Sequence, residues 1–330
     1  MKEITDITII GAGPVGLFTT FYAGMREASV HLIDSMPSVG GQLAALYPEK
    51  NIYDIAGFPK IKAQDLVKQL HLQALTFSPK ITLGEAVLDV KQQEDGVFVI
   101  VTSKDVYYTR AIIITAGAGA FEPRPLEVEN VQTHRKNIHY FIKNVAEFQN
   151  KRVLVCGGGD SAVDWSLTLE PVAEEVTLVH RRHQFRAHES SITELKNSTV
   201  HVVTPFEIKK LIGNGERLEQ VLIQKVREEE KAFINVDQII VSYGFITDLG
   251  PLKEWGLEIE RNSLRVNQQM ETTIAGIYAA GDICTYKGKP KLIATGFGEA
   301  TIAVNQAKLM LDPKARVNVH STHLFEKVSN

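Results

Sequence analysis

Two glycine-rich turns, Gly11-Ala12-Gly13-Pro14-Val15-Gly16 and Gly157-Gly158-Gly159-Asp160-Ser161-Ala162, constrain this chain more than any other feature. The first follows an apolar, β-branched run at 7–10, precedes a helical pattern at 14–26, and is answered by a second β-rich run at 29–33 closed by Asp34. The second lies between a strand-like stretch at 152–156 and a helical pattern at 161–169, with another strand pattern at 176–179. Each reads as a βαβ unit opened by the glycine pattern that dinucleotides require. From position 11 to position 157 the repeat distance is 146 residues, and two copies cannot stack into a solenoid. Two nucleotide-binding domains are the simpler expectation, and 330 residues agree with it at about 150 per domain.

The glycines have separable tasks. Gly11 permits the tight strand-to-helix turn, Gly13 lets the backbone approach a pyrophosphate, and Gly16 allows close packing. The helix that opens at Pro14 then offers free N–H groups and a positive dipole end to phosphates. Asp34 ends the second strand, where an acid can accept hydrogen bonds from an adenosine ribose. In the second copy Gly157, Gly159, Asp160, Ser161 and Ala162 form a G-x-G-x-x-A turn, but the second strand ends in His180-Arg181-Arg182, with Arg186 close behind. An acid there would repel a 2′-phosphate, whereas guanidinium forks bind one, so this site reads as NADP(H) rather than NAD(H). A solvated basic loop is the plain alternative.

Two dinucleotide sites in one chain suit one held cofactor and one that exchanges. A flavin and a nicotinamide complement each other because hydride transfer needs their rings stacked. The segment Gly276-Ile-Tyr-Ala-Ala-Gly-Asp282 supports a flavin: Asp282 ends a strand-like run and can hold a ribityl hydroxyl. A helix from Gly296 to Met310, stopping at Asp312-Pro313, could aim its positive end at the flavin pyrimidine edge.

Composition narrows the rest. A 44% hydrophobic and 23% charged chain with net charge −3 is an ordinary globular protein, without the basic excess of bulk nucleic-acid binders. No apolar stretch approaches a membrane span, and the N-terminus runs directly into a strand without a signal-peptide core, which points to the cytoplasm. The two cysteines, Cys156 and Cys284, form no CxxC, so neither a dithiol redox centre nor a metal knuckle is expected. The run Arg227-Glu-Glu-Glu-Lys231 reads as a solvated hairpin tip.

With these motifs in place, the chain resembles the thioredoxin-reductase-like flavoproteins along nearly its whole length. It is most similar to the ferredoxin–NADP⁺ reductases of that type. The resemblance rests on both glycine turns, on His180-Arg-Arg…Phe185-Arg186-Ala187, and on Gly40-Gly-Gln-Leu-Ala-Ala-Leu-Tyr47-Pro-Glu-Lys. It rests equally on Tyr53-Asp54-Ile-Ala-Gly-Phe-Pro59 and the tail His320-Ser-Thr-His-Leu-Phe325, which departs from the pattern at His323. The fold implied is α/β: two Rossmann-like three-layer nucleotide-binding domains, with an NADPH domain (119–245) inserted into a discontinuous FAD domain (1–118 and 246–330). The linkers fall near 117–124 and 241–249.

The resemblance also implies roles. Asp34 would bind the adenosine ribose, and Gln42 and Asp282 the ribityl and pyrophosphate portion. Tyr47 would stack on one face of the isoalloxazine and His320 on the other. Val87 and Phe121 would line the adenine and flavin pocket, and Thr322 would complete it. Asp54 and Ser321 would lie near the reactive edge. Read from composition alone, Tyr47 is an ordinary half-buried aromatic and His320 a solvated tail residue. The implied activity is electron transfer between NADP(H) and ferredoxin or flavodoxin through hydride transfer at flavin N5 followed by one-electron steps. The implied assembly is a homodimer whose tail covers the partner subunit's flavin. The alternatives are a thioredoxin-like disulfide reductase, which lacks its CxxC here, a generic NADPH diaphorase, oxidase or monooxygenase, and a non-catalytic NADPH-binding protein. Lys60, Lys62 and Lys143 are candidate contacts for an acidic ferredoxin.

Overall fold

A computed structural model describes residues 3–215 and 217–316, without the side chains of 120 and 121. The chain divides into two compact units: one runs to Phe121 and resumes at Thr247, and the other is Glu122–Ile246.

In the discontinuous unit the strand Ile4–Ile10 lies between Val30–Asp34 and Val106–Ile114, parallel to both. A central parallel strand is covered on both faces, so it reads as a continuous apolar run rather than an alternation; Ile7 and Ile9 are fully buried. Val106–Ile114 changes partners along its length. Its first half pairs antiparallel with Phe98–Thr102, and its second half pairs parallel with Ile277–Ala279, the strand the chain makes on its return. The sequence signals only its last four residues, because the earlier half alternates and is partly solvated.

The result is a set of strand ends gathered at one carboxyl edge. Gly11 N–H donates to Ile33 O (2.8 Å), Thr115 N–H to Ile10 O (2.8 Å) and Ala280 N–H to Ile114 O (3.0 Å). Helix α1 (Pro14–Met25) leaves this edge, followed by the short α2 (Gly41–Leu46) and by α3 (Ala63–Leu75).

The inserted unit carries a five-stranded parallel sheet in the order Ile138–His139, Gln238–Val241, Arg152–Cys156, Glu175–Val179, His201–Val203. Helices α4 (Asp160–Leu169) and α5 (Glu189–Asn197) make the two crossovers. A three-stranded antiparallel meander, Phe206–Asn214, Arg217–Lys225 and Lys231–Asn235, links the last crossover back to the sheet. The charge run is the turn between the last two of these strands, where Lys225 reaches Glu228 (2.9 Å) and Glu230 (3.1 Å).

Back in the first unit, α6 (Ile293–Leu311) packs with α3 on α1. It begins three residues before Gly296, the expected start. Gly296 marks a close approach rather than an end: a Cβ there would lie 2.5 Å from Val15 Cγ2 and 3.3 Å from Gly281 Cα. Among the described residues no helix is long and apolar enough to cross a membrane.

Candidate dinucleotide sites

At the first turn, packing separates the three glycines. Gly11 has φ +110°, and a Cβ there would stand 2.6 Å from Thr115 O; one on Gly16 would stand 1.8 Å from Gly11 O. A Cβ on Gly13 would meet no protein atom within 4 Å. The protein needs glycine at 11 and 16 for its own packing, whereas Gly13 faces open space that a pyrophosphate could enter. Gly13 is the N-cap of α1, Pro14 follows it, and no side chain caps the helix. The first N–H groups therefore lack a side-chain acceptor and suit an anion.

Asp34 braces this turn. Its Oδ2 accepts from Ala12 N–H (2.5 Å) and its Oδ1 from Met36 N–H (2.7 Å). Burial pushes its carboxyl above the usual range, and the two backbone donors pull it back. Each oxygen keeps a lone pair for a ribose hydroxyl. Gly40 N–H donates to Ala12 O (2.8 Å), which sets α2 beside the turn. A Cβ on Gly117 would lie 3.9 Å from Gln42 Nε2.

Tyr47 ends α2, half-buried, with Lys50 Nζ 5.7 Å from its ring centre. Its phenol is pushed up to about 12, first by burial and then by the carboxylates of Asp282 and Asp54. Asp54, seven residues on, and Asp282, from the returning chain, are thus near enough for their charges to bear on the Tyr47 phenol. Asp54 is exposed and Asp282 half-buried, next to Gly281, whose Cβ would press on Val15 Cγ2 at 3.2 Å. Val87 opens the strand Val87–Gln92, two residues beyond Glu85, whose N–H donates to Asp34 O (3.0 Å). The Phe121 side chain, His320, Ser321 and Thr322 lie outside the described residues.

The second turn has the same plan. Gly157 has φ +150° and would place a Cβ 2.5 Å from Ser242 O; Gly158 would place one 2.2 Å from the His180 ring. Gly159, the uncapped N-cap of α4, would find only Arg186 O, at 3.8 Å. Arg186 N–H donates to Gly158 O (2.7 Å) and His188 N–H to Asp160 Oδ1 (3.0 Å), so the basic segment runs alongside the turn. Arg181, Arg182 and Arg186 are exposed, as is Ser161, while Ala162 is fully buried. Burial, ahead of the neighbouring arginines, holds His180 below the ordinary histidine range.

Several neighbours carry no sequence signal. Thr115, read only as part of a loop, donates its hydroxyl to Gly11 O (2.7 Å) and locks the first turn. Lys62 is paired with Glu49 (2.8 Å) and Lys60 lies over the Tyr53 ring (5.9 Å), so these two docking candidates share one hairpin and only Lys60 keeps its charge uncompensated by that glutamate. Cys156 and Cys284 are free and buried, and burial raises both thiols, leaving no reactive thiolate. A groove of about 860 Å³ in the inserted unit, lined by residues such as Leu126, Arg135 and Tyr140, includes none of the predicted site residues.

The family profile of pyridine nucleotide-disulphide oxidoreductases matches residues 5–307. The chain belongs to that family. Among its curated relatives, the Bacillus licheniformis protein named ferredoxin–NADP reductase 2 is 59% identical over 326 residues, 98% of each chain. The Halalkalibacterium halodurans ferredoxin–NADP reductase is also 59% identical, covering 98% of this chain and 99% of that one. The fold of this family member is also that of the T. acidophilum thioredoxin reductase (TM-score 0.82, 24% identity, 94% of this chain and 99% of that one). The Lactococcus lactis thioredoxin reductase gives a TM-score of 0.78 at 24% identity, covering 92% and 97%.

Proposed function

We propose that this chain is a ferredoxin–NADP⁺ reductase, an FAD-dependent oxidoreductase that moves electrons between NADP(H) and ferredoxin or flavodoxin. The observation that carries the reading is the pairing of two open glycine cradles of opposite chemistry in a chain whose two cysteines are buried and belong to different units. Bound FAD supplies a ring that takes a hydride at N5 and gives electrons up singly.

The protein's part is binding, orientation and shielding. The FAD domain, 1–118 with 246–330, falls within three residues of the bounds of the discontinuous unit. Its Gly11, Gly13, Pro14 and Gly16 turn and the N-terminus of α1 hold the pyrophosphate, Asp34 holds the ribose, and Gln42 and Asp282 hold the ribityl chain. Val87 and Phe121 line the pocket. Tyr47 covers one ring face as a neutral phenol, and His320, on the tail that crosses to the partner subunit's flavin, covers the other. Thr322 completes the enclosure, and Asp54 and Ser321 lie near the reactive edge and tune proton delivery.

The NADP(H) domain, 119–245, likewise falls within three residues of the bounds of the inserted unit. There Gly157, Gly159, Asp160, Ser161 and Ala162 form the cradle, and His180, Arg181, Arg182 and Arg186 take the 2′-phosphate. The protein acts in the cytoplasm as a homodimer. Solvent-facing Leu72 and Leu75 on α3, with Ile302 and Met310 on α6, provide apolar surface for association.

A disulfide reductase would need a dithiol that this chain lacks. The test is cytochrome c reduction by NADPH, with and without added ferredoxin. Strict dependence on ferredoxin is expected. Equal rates without it would leave a diaphorase, and a protein that takes up no FAD would overturn the reading altogether.

A further inference from the structure

Lys289 and Glu299 form an ion pair in which both side chains are almost wholly shielded, 4% and 3% exposed. Lys289 Nζ lies 2.5 Å and 2.6 Å from the two carboxylate oxygens. The same ammonium donates to Gly281 O (2.8 Å) and touches Cys284 Sγ (3.1 Å). Glu299 Oε2 accepts from Gly281 N–H (2.8 Å), and its Oε1 accepts from the Tyr286 hydroxyl (2.7 Å). Both backbone polar groups of Gly281 are therefore held by one ion pair: its N–H by the carboxylate and its C=O by the ammonium.

Burying two charges is costly, and replacing such a pair by apolar side chains is often neutral for folding. The pair is weak evidence for stability, and what it fixes is geometry. Gly281 has φ +81° and rests against Val15 in the first glycine turn. Asp282 is the next residue, so the orientation of the Gly281 peptide sets where its carboxylate lies. Glu299 stands on α6, one turn beyond Gly296, which also packs against Val15.

We infer that Lys289 and Glu299 are positioning residues that orient Asp282 for FAD. This rests on the reading of Asp282 as an FAD contact. The test is a double-mutant cycle on the dissociation constant of FAD, titrated into the deflavinated full-length protein. Its members are wild type, Asp282→Asn, Lys289→Met with Glu299→Leu, and all three substitutions together. Asp282→Asn should weaken FAD roughly tenfold in the wild-type background, the worth of one hydrogen bond to a charged group. With the ion pair removed, FAD should already be weaker by a similar factor, and Asp282→Asn should add less than about threefold.

An undiminished tenfold effect in both backgrounds would overturn the inference and leave the Asp282 reading intact. No effect of Asp282→Asn in wild type would overturn both. Should the apolar pair fail to fold, Glu299→Gln breaks the ion pair while keeping an acceptor for the Gly281 N–H. Because that N–H keeps its acceptor, Asp282→Asn should there have an effect between those in the wild-type and apolar-pair backgrounds, and a full tenfold effect would refute the positioning role.

Discussion

At the first glycine turn the acid that closes the second strand is turned inward, its carboxylate occupied by the N–H groups of Ala12 and Met36. At the second turn the arginines in the corresponding place stay in solvent, and among the described residues no ion pair engages Arg181, Arg182 or Arg186. Thr115 braces the first turn through Gly11 O, and its glycine at position 16 could not be enlarged without striking the same oxygen. The second turn leans on the edge of the His180 ring. One backbone plan is thus finished as a braced, preorganised site and as a solvated, electrostatic one. A preorganised site loses little entropy on binding and retains its ligand, whereas a solvated cluster of guanidiniums favours rapid exchange. That difference is what a chain with one resident and one travelling dinucleotide requires.

The contrast can be broken most severely at Gly16. Gly16→Ala places a methyl 1.8 Å from Gly11 O, so the protein should be recovered without flavin and with a collapsed melting transition, read by circular dichroism and absorbance. Next in size, Arg181→Ala with Arg182→Ala should raise the KM for NADPH by roughly 100-fold, at about tenfold per charge-assisted contact. The KM for NADH should stay unchanged, as steady-state kinetics with both nucleotides will show.

Smaller is the effect of salt. At ionic strengths where the Debye length falls to about 3 Å, the KM for NADPH should rise several-fold while flavin retention on a desalting column is unaltered. Smaller again is a pH effect in the first unit. Burial, then Lys80, lowers His31 from 6.5 to about 4. In that window the unfolded chain binds the extra proton, so stability falls as pH drops from 6.5 towards 4. His31→Gln should flatten this slope in urea melts taken across the interval. Smallest of all, alkylation of the native protein should leave turnover unchanged, because Cys156 and Cys284 are both buried with raised thiols.

Both turns, their helices and their flanking strands were legible because glycine spacing and β-branched runs report local backbone needs directly. Asp34 and the arginines were legible because their position at a strand end follows from the βαβ unit. The start of α6 was not, since Gly296 serves a contact with Val15 and Gly281 that only the tertiary fold creates. The Lys289–Glu299 pair had no signature at all: positions 281, 286, 289 and 299 follow no helical or strand period, and buried lysines and glutamates are rare enough that sequence patterning treats them as surface. The nearness of Tyr47, Asp54 and Asp282 followed from a family resemblance alone: Tyr47 ends α2, Asp54 follows the hairpin strand Asn51–Ile52 and Asp282 follows the strand Ile277–Ala279, so no single period links them.

The most direct test of the two-site account is a matched pair of substitutions in open space. Gly13→Ala adds a methyl that meets no protein atom within 4 Å, and Gly159→Ala one whose nearest neighbour is Arg186 O at 3.8 Å. Neither should disturb the fold, so each reports only on what enters its cradle. Flavin content and NADPH KM, measured on both variants, should separate cleanly: Gly13→Ala loses bound FAD, while Gly159→Ala keeps its flavin and shows a raised NADPH KM. Loss of flavin from Gly159→Ala, or an unaltered flavin content in Gly13→Ala, would contradict the assignment of the two turns.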